Sequence, residues 1–176
     1  RARGVGALQG EGPFTVFAPT NKAFAKLPAA QLASLLEPKN KALLQAILTY
    51  HVVPASLPAS AVLQSANATT LNGQRIDFSV NDGGVTVDGA AVIKTDILCS
   101  NGVIHVIDSV ILPSTLNVVE TAVEAGSFKT LAAALAAAQL VEALQGKGPF
   151  TVFAPTDEAF AALPAGTVEG LLEPKN

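Results

Sequence analysis

The feature that most constrains this chain is that it repeats itself. Val5 to Thr20 (VGALQGEGPFTVFAPT) returns as Val141 to Thr156 (VEALQGKGPFTVFAPT), an offset of 136 residues (150 − 14 for the Phe after Gly-Pro). The offset persists to Leu35–Asn40 and Leu171–Asn176, and 26 of 36 positions are identical between 5–40 and 141–176. Since 176 = 136 + 40, the sequence holds one period plus the opening of the next. A period this long is domain-sized, so the chain reads as part of a tandem array of domains, unlike a solenoid whose units run to about 20–50 residues. Charge changes at Glu11/Lys147, Asn21/Asp157, Lys22/Glu158 and Lys26/Ala162, while the GPFTVFAPT run is untouched, which predicts that the variable positions face solvent.

The phase of the repeat sets the expected domains. Residues 1–113 read as one domain lacking its own N-terminal helices, 114–116 as a short linker, and 117–176 as the N-terminal part of a second repeat. Nothing before the first GPFTVFAPT corresponds to residues 117–138. That segment either belongs to the second copy or completes the first.

Composition narrows the class. A net charge of −3 with 49% apolar and 14% charged residues supports a packed core, and no Lys/Arg cluster exists to neutralise phosphates, so nucleic acid is excluded as an expected partner. Cys99 is the sole cysteine and cannot build an internal disulfide or a thiolate metal cluster. The alanine-rich stretch Leu131–Leu144 is shorter than the roughly 20 residues of a membrane span, and it reads as a core helix. No apolar leader follows Arg1, so any targeting segment is expected to have been removed or not included.

Along one period, Phe14 to Ala18 alternates as a strand, and Thr20 is placed to cap a helix from Asn21 to Lys26. Apolar spacing predicts helices over Ala29–Leu36 and Asn40–Tyr50, an extended His51–Pro54, and a helical turn at Ala59–Leu63. Ile76, Phe78 and Val80 alternate with polar residues, and Asn81-Asp-Gly-Gly84 turns that strand into Val85–Val87. Ala91–Lys94 and Gly102–Leu112 supply further strands, the last of them central. Asn117 and Ser127 are read as caps of two more helices, the first stopped at Gly126 and the second running to about Ala138. The sum is α+β with a mostly antiparallel sheet.

Three strings then carry a resemblance: Phe14-Thr-Val-Phe-Ala-Pro-Thr-Asn-Lys-Ala-Phe24, the Tyr50-His51 pair in LTYHVV, and Asn101-Gly-Val-Ile-His-Val-Ile-Asp-Ser-Val-Ile-Leu112. In this order and spacing they resemble the fasciclin (FAS1) domain family. The resemblance covers essentially the whole chain. It implies a wedge-shaped β-sandwich with helices packed along one side, and a secreted, cell-surface or otherwise extracytoplasmic module that binds protein or matrix and transforms no substrate. Animal matrix members engage integrins through an Asp-Ile pair just before the last string and through the Tyr-His region. The resemblance therefore implies partner-binding roles for Asp96, Ile97, Tyr50 and His51.

Each candidate has a plainer structural reading. Asp96 can be a loop residue bonding backbone while Ile97 joins the core, and His51 and His105 can be buried residues satisfied by backbone groups. Ser100, Cys99, His105 and Asp108 do not form a triad, because 103, 105 and 107 share one strand face and Asp108 points to the other. No catalytic residue, cofactor or metal is expected. Asn67-Ala-Thr69 is the one N-glycosylation sequon. The expected function is a non-enzymatic adhesion or matrix-interaction module from a tandem array, with protein or polysaccharide partners or self-association through its repeats. The alternative is a structural subunit docked on a larger extracytoplasmic or membrane-associated assembly.

Overall fold

The structure is a computed structural model and describes residues 10–81, 83–146, 148, 150–164 and 166–171. Residues 5–9 and 172–176 of the repeat, with Lys147, Pro149 and the turn residue Asp82, lie outside them. Two compact units, Arg1–Pro113 and Ser114–Asn176, divide the chain.

The first unit carries strands β1 (Phe14–Pro19), β2 (Val52–Val53), β3 (Asn67–Thr69), β4 (Arg75–Asn81), β5 (Gly84–Val87), β6 (Ala90–Cys99) and β7 (Gly102–Ile107). Its helices are α1 (Asn21–Ala25), α2 (Ala29–Leu35), α3 (Lys41–Tyr50) and α4 (Ala59–Gln64), with a 3-10 turn at Pro38–Asn40. The strands form one sheet in the order β2-β1-β7-β6-β5-β4-β3. All neighbours pair antiparallel except β1 and β7, which run parallel with six registered partners from Phe14↔Gly102 to Pro19↔Ile107.

The sheet folds over on itself. Four ladder spacings separate β1 from β4 in the strand order, about 19 Å if the sheet were flat, yet the Phe17 and Phe78 rings lie 5.8 Å apart. Between the two layers sit Phe17, Ile76, Val87 and Ile107, all fully buried, with Tyr50, Val53, Val62 and Phe78 around them. Burying each large side chain contributes about 1.5–3 kcal/mol. The α+β class and the sandwich expected from the sequence are what the chain adopts.

Strand alternation decides which residues enter. In β1, Thr15 and Phe17 point inward at 0% exposure. A buried hydroxyl needs partners, and Thr15 Oγ1 has two: it donates to the Ala55 carbonyl (2.7 Å) and accepts from the Leu57 amide (2.8 Å). In β7, Val103, His105 and Ile107 share the buried face, as alternation predicts.

Local chemistry explains the ends of elements. Thr20 accepts the Ala23 amide and caps α1 as expected. The chain between β5 and β6 turns at Asp88-Gly89, where both residues have positive φ (47° and 79°), the geometry that an Asp-Gly hairpin turn supplies. Of the charge-changing repeat positions, Glu11, Asn21, Lys22, Lys26, Glu158 and Ala162 are exposed and Asp157 is half-buried. Lys26 pairs with Asp108 at 2.8 Å, holding that carboxyl below its usual value, and Ala162 has no charge to do the same.

Several expected boundaries shift. The strand over Gly102–Leu112 stops at Ile107, because Asp108 turns its carboxylate to the Ala91 amide and Lys26. The strand expected at Ala91–Lys94 runs from Ala90 to Cys99, so Asp96 and Ile97 lie within a strand and not in a loop.

In the second unit, α5 (Val118–Glu124) begins with a capping box in which Asn117 accepts the Val119 and Glu120 amides while Glu120 accepts the Asn117 amide. Gly126, at φ 72°, follows its end. Helix α6 (Lys129–Ala137) is not capped by Ser127; Asp157, at the start of α8 (Asp157–Ala161), accepts the Thr130 amide at 2.7 Å and donates its own amide to the Ser127 carbonyl at 2.9 Å. The alanine-rich stretch is two helices, α6 and α7 (Val141–Leu144), because Gln139 takes φ 57°. It is not a core helix either, since neither α6 nor α7 has a fully buried residue. The last helix, α9, spans Thr167–Leu171.

The repeated string takes two conformations. As 14–19 it is a strand; as 150–155 it forms none among the described residues, and Phe153 is 91% exposed where its counterpart Phe17 is 0%. The string is identical in the two places, and β1 is held in its ladder by β7 and β2.

Candidate partner-binding site around Asp96

The pairing of β6 with β7 slips twice, between Val92 and Lys94 and again between Lys94 and Ile97. Extra residues on one strand make a bulge, which re-aims side chains. Asp96 sits there with φ 57°, a conformation that Asp tolerates better than most residues. Its backbone amide donates to His105 Nδ1 (3.4 Å), and its carboxylate Oδ1 accepts the Ala59 amide (2.9 Å) at the start of α4, where Pro58 supplies no side-chain cap.

His105 is the post behind the bulge. It is 1% exposed, stacks on Phe17 at 5.5 Å, and donates from Nε2 to the Leu57 carbonyl (2.7 Å). With Thr15 bonded to Ala55 and Leu57, segment 55–59 is tied to β1, β6 and β7 together. Asp96 is exposed while Ile97 is half-buried opposite Ile104. Leu98 is 81% exposed and borders a shallow groove of about 620 Å³ that Ser56, Pro58 and Ser100 also line. Sequence reasoning missed Leu98 and Pro58. The two slips in β6 together add two residues and restore the alternation, so Leu98 registers opposite Val103 on the same face, and its exposure does not follow from spacing.

Tyr50 and His51 stand elsewhere and are buried, at 6% and 5% exposure. Tyr50 Oη lies 2.6 Å from Asp88 Oδ2 and 3.1 Å from the Arg75 carbonyl, fastening the end of α3 to the Asp88-Gly89 turn. Burial, and next the bond to Asp88, push its hydroxyl well above the ordinary value of 10. His51 Nδ1 donates to the Ile47 carbonyl (2.7 Å), and Nε2 accepts the Ile111 amide (3.3 Å). The two site pairs are therefore unlike: Asp96–Ile97 borders solvent, and Tyr50–His51 is built into the core. Both histidines are occupied at both ring nitrogens by backbone groups, and among the described residues no group of three potential ligands is placed to hold a metal ion. Asn67 is exposed on the edge strand β3. Among the described residues no helix is long and apolar enough to cross a membrane.

His51 sets a pH dependence. Burial holds its imidazole below the ordinary 6.5, and protonating Nε2 would confront the Ile111 amide. A group whose folded value is depressed contributes stability that is complete above its unfolded value and is lost as pH falls toward the folded one. Urea midpoints measured from about pH 7.5 to about pH 5 are expected to fall with acidification, and His51→Gln to flatten that fall. An unchanged slope in the variant would assign the loss to other groups.

Comparisons with known proteins agree with the geometry. Residues 1–113 and 126–176 match the family model of the fasciclin domain. Protein sll1483 of Synechocystis is 59% identical over 109 residues, 62% of this chain and 60% of its own length. Transforming growth factor-beta-induced protein ig-h3 of Sus scrofa is 39% identical over 168 residues, covering 94% of this chain and 24% of that protein. Human periostin is 36% identical over 158 residues, 88% of this chain and 18% of its own. This chain thus spans less than two thirds of each of these relatives. Among solved structures, a FAS1 domain pair from the insect cell adhesion molecule fasciclin I covers 99% of this chain and 64% of its own, with a TM-score of 0.55 at 21% identity, a likeness of fold. Its sequence strings, its folded-over sheet and the family match together place the chain in the fasciclin domain family.

Proposed function

We propose that the chain is a non-enzymatic adhesion or matrix-interaction module, secreted or displayed at a cell surface, whose contact centre is the bulge of β6. The carrying observation is an exposed carboxylate, Asp96, on a bulge backed by a fully bonded buried histidine, with an 81% exposed Leu98 just past the bulge. A charge that orients and an apolar anchor that desolvates, on a rigid support, is what binding hot spots require. Ile97 anchors the bulge from beneath, and Tyr50 and His51 support the module by holding α3 to the sheet. A tandem arrangement would add avidity through effective concentration. The adhesion molecule whose domain pair shares the fold lends the reading its direction.

The test is a crosslinking pull-down from surface and membrane fractions of the native source. Wild type is compared with Asp96→Ala/Leu98→Ser, and with Asp96→Asn, which keeps an oxygen for the Ala59 amide. A stoichiometric partner is expected with wild type and its recovery is expected to drop at least about tenfold with the double variant. Undiminished recovery would move the contact to another face.

A further inference from the structure

The two copies of the repeated segment carry opposite charge. Residues 14–36 contain Lys22 and Lys26 and no acidic residue, a charge of +2, whereas residues 150–172 contain Asp157, Glu158 and Glu169 and no basic residue, a charge of −3. The contrast is concentrated on one helix: at the offset of 136, α1 corresponds to α8, Lys22 to Glu158 and Lys26 to Ala162, and all four residues are exposed. Lys22 and Lys26 border an open hollow of about 640 Å³ together with Asp108 and with Ile93, which is 58% exposed. Lys26 is held by Asp108 at 2.8 Å, while among the described residues neither Lys22 nor Glu158 belongs to an ion pair. On α8, Glu158 is followed three and four residues on by the exposed Ala161 and Ala162, so small side chains flank the carboxylate and let a second surface approach it. Asp157 is engaged by the Thr130 amide, which leaves Glu158 as the carboxylate α8 can offer.

We infer that α8 of one copy of the chain docks on the hollow beside α1 of a second copy, Glu158 against Lys22 and Lys26, with the exposed Ile93 and Leu163 supplying apolar area next to the charges. Charge decides the mode. Packing α1 on α1 or α8 on α8 would set like charges together, and only α1 on α8 sets unlike ones, so the contact is heterologous and joins copies head to tail. Ala162, standing where the first copy has Lys26, removes the cation that would repel the lysine pair. Exposed ion pairs add little affinity each, so the association is weak, electrostatically steered and sensitive to salt. It uses neither Asp96 nor Leu98, and therefore stands or falls apart from the function proposed above.

The test uses the full chain in analytical ultracentrifugation at about 20 mM and about 500 mM salt. Wild type is expected to rise in mass with concentration at low salt and to stay near monomer mass at high salt. Lys22→Glu and Glu158→Lys are each expected to weaken the low-salt association at least about fivefold, and Lys22→Glu/Glu158→Lys in one chain to recover most of it. Glu158→Lys separates this contact from general repulsion: it brings the net charge from −3 to −1 (−3 + 2), which by itself would strengthen association. Circular dichroism checks that each variant keeps wild-type secondary structure. Carbodiimide crosslinking of mixed isotopically heavy and light wild-type chains is expected to join Glu158 of one to Lys22 or Lys26 of the other. Wild type that remains monomeric at low salt would overturn the inference. So would Glu158→Lys associating as well as wild type or better, or crosslinks confined to single chains.

Discussion

A single methyl group at position 102 is expected to unfasten the middle of the sheet. Gly102 opens β7 opposite Phe14, the first pair of the parallel ladder, and a Cβ there would overlap the Phe14 carbonyl. The obstacle is backbone, with no side-chain end that could swing aside. Relief requires β1 and β7 to separate where Thr15, Phe17, Val103 and His105 enter the core. Gly102→Ala is expected to cost about 3 kcal/mol, a large share of the roughly 5–15 kcal/mol that holds a domain folded. Thermal and urea melts followed by circular dichroism measure it, and a loss below about 1 kcal/mol would mean that the ladder yields locally.

His105→Ala is expected to cost about 3–5 kcal/mol, the range for removing a large buried ring. The ring leaves a cavity against Phe17, and the Leu57 carbonyl and Asp96 amide lose their partner. The effect has a signature that a mere packing defect lacks. The Asp96 amide should exchange with solvent faster at denaturant concentrations where the core amides of β1 are still protected, because that amide donates to the His105 ring. His105→Phe, which keeps the stack and discards both bonds, should reproduce the faster exchange with a smaller loss of stability. Equal protection of Asp96 in wild type and His105→Phe would separate the bulge from the histidine.

Much of the fold was legible in the sequence because local chemistry and tertiary context agree there. The Thr20 cap, the buried face of β7 and the Asn117 cap follow from residue type and spacing alone. Where context overrides, reading failed for identifiable reasons. The length of β6 was hidden by its bulge, which breaks the alternation that marks a strand. Ser127 looks like a cap, but Asp157, 30 residues on (157 − 127), performs that task. The Asp88-Gly89 turn carried a recognisable signal that the neighbouring Asn81–Gly84 turn overshadowed. Of the site, Asp96 could be singled out by resemblance, whereas the exposure of Leu98 and the burial of Tyr50 and His51 depend on which way the sheet folds.

The parallel pairing of β1 with β7 has a mechanical consequence. β1 lies near the start of its unit and β7 near the end, and they point the same way over six matched pairs. Tension applied through the two ends of the unit therefore drags the strands past each other lengthwise. Every rung of the ladder is loaded at once, where a hairpin pulled from its open end would break its rungs one by one. Resistance to force is then set by the whole ladder and by the rate of its rupture more than by equilibrium stability. A domain wired this way can act as a load-bearing link in a tethered chain.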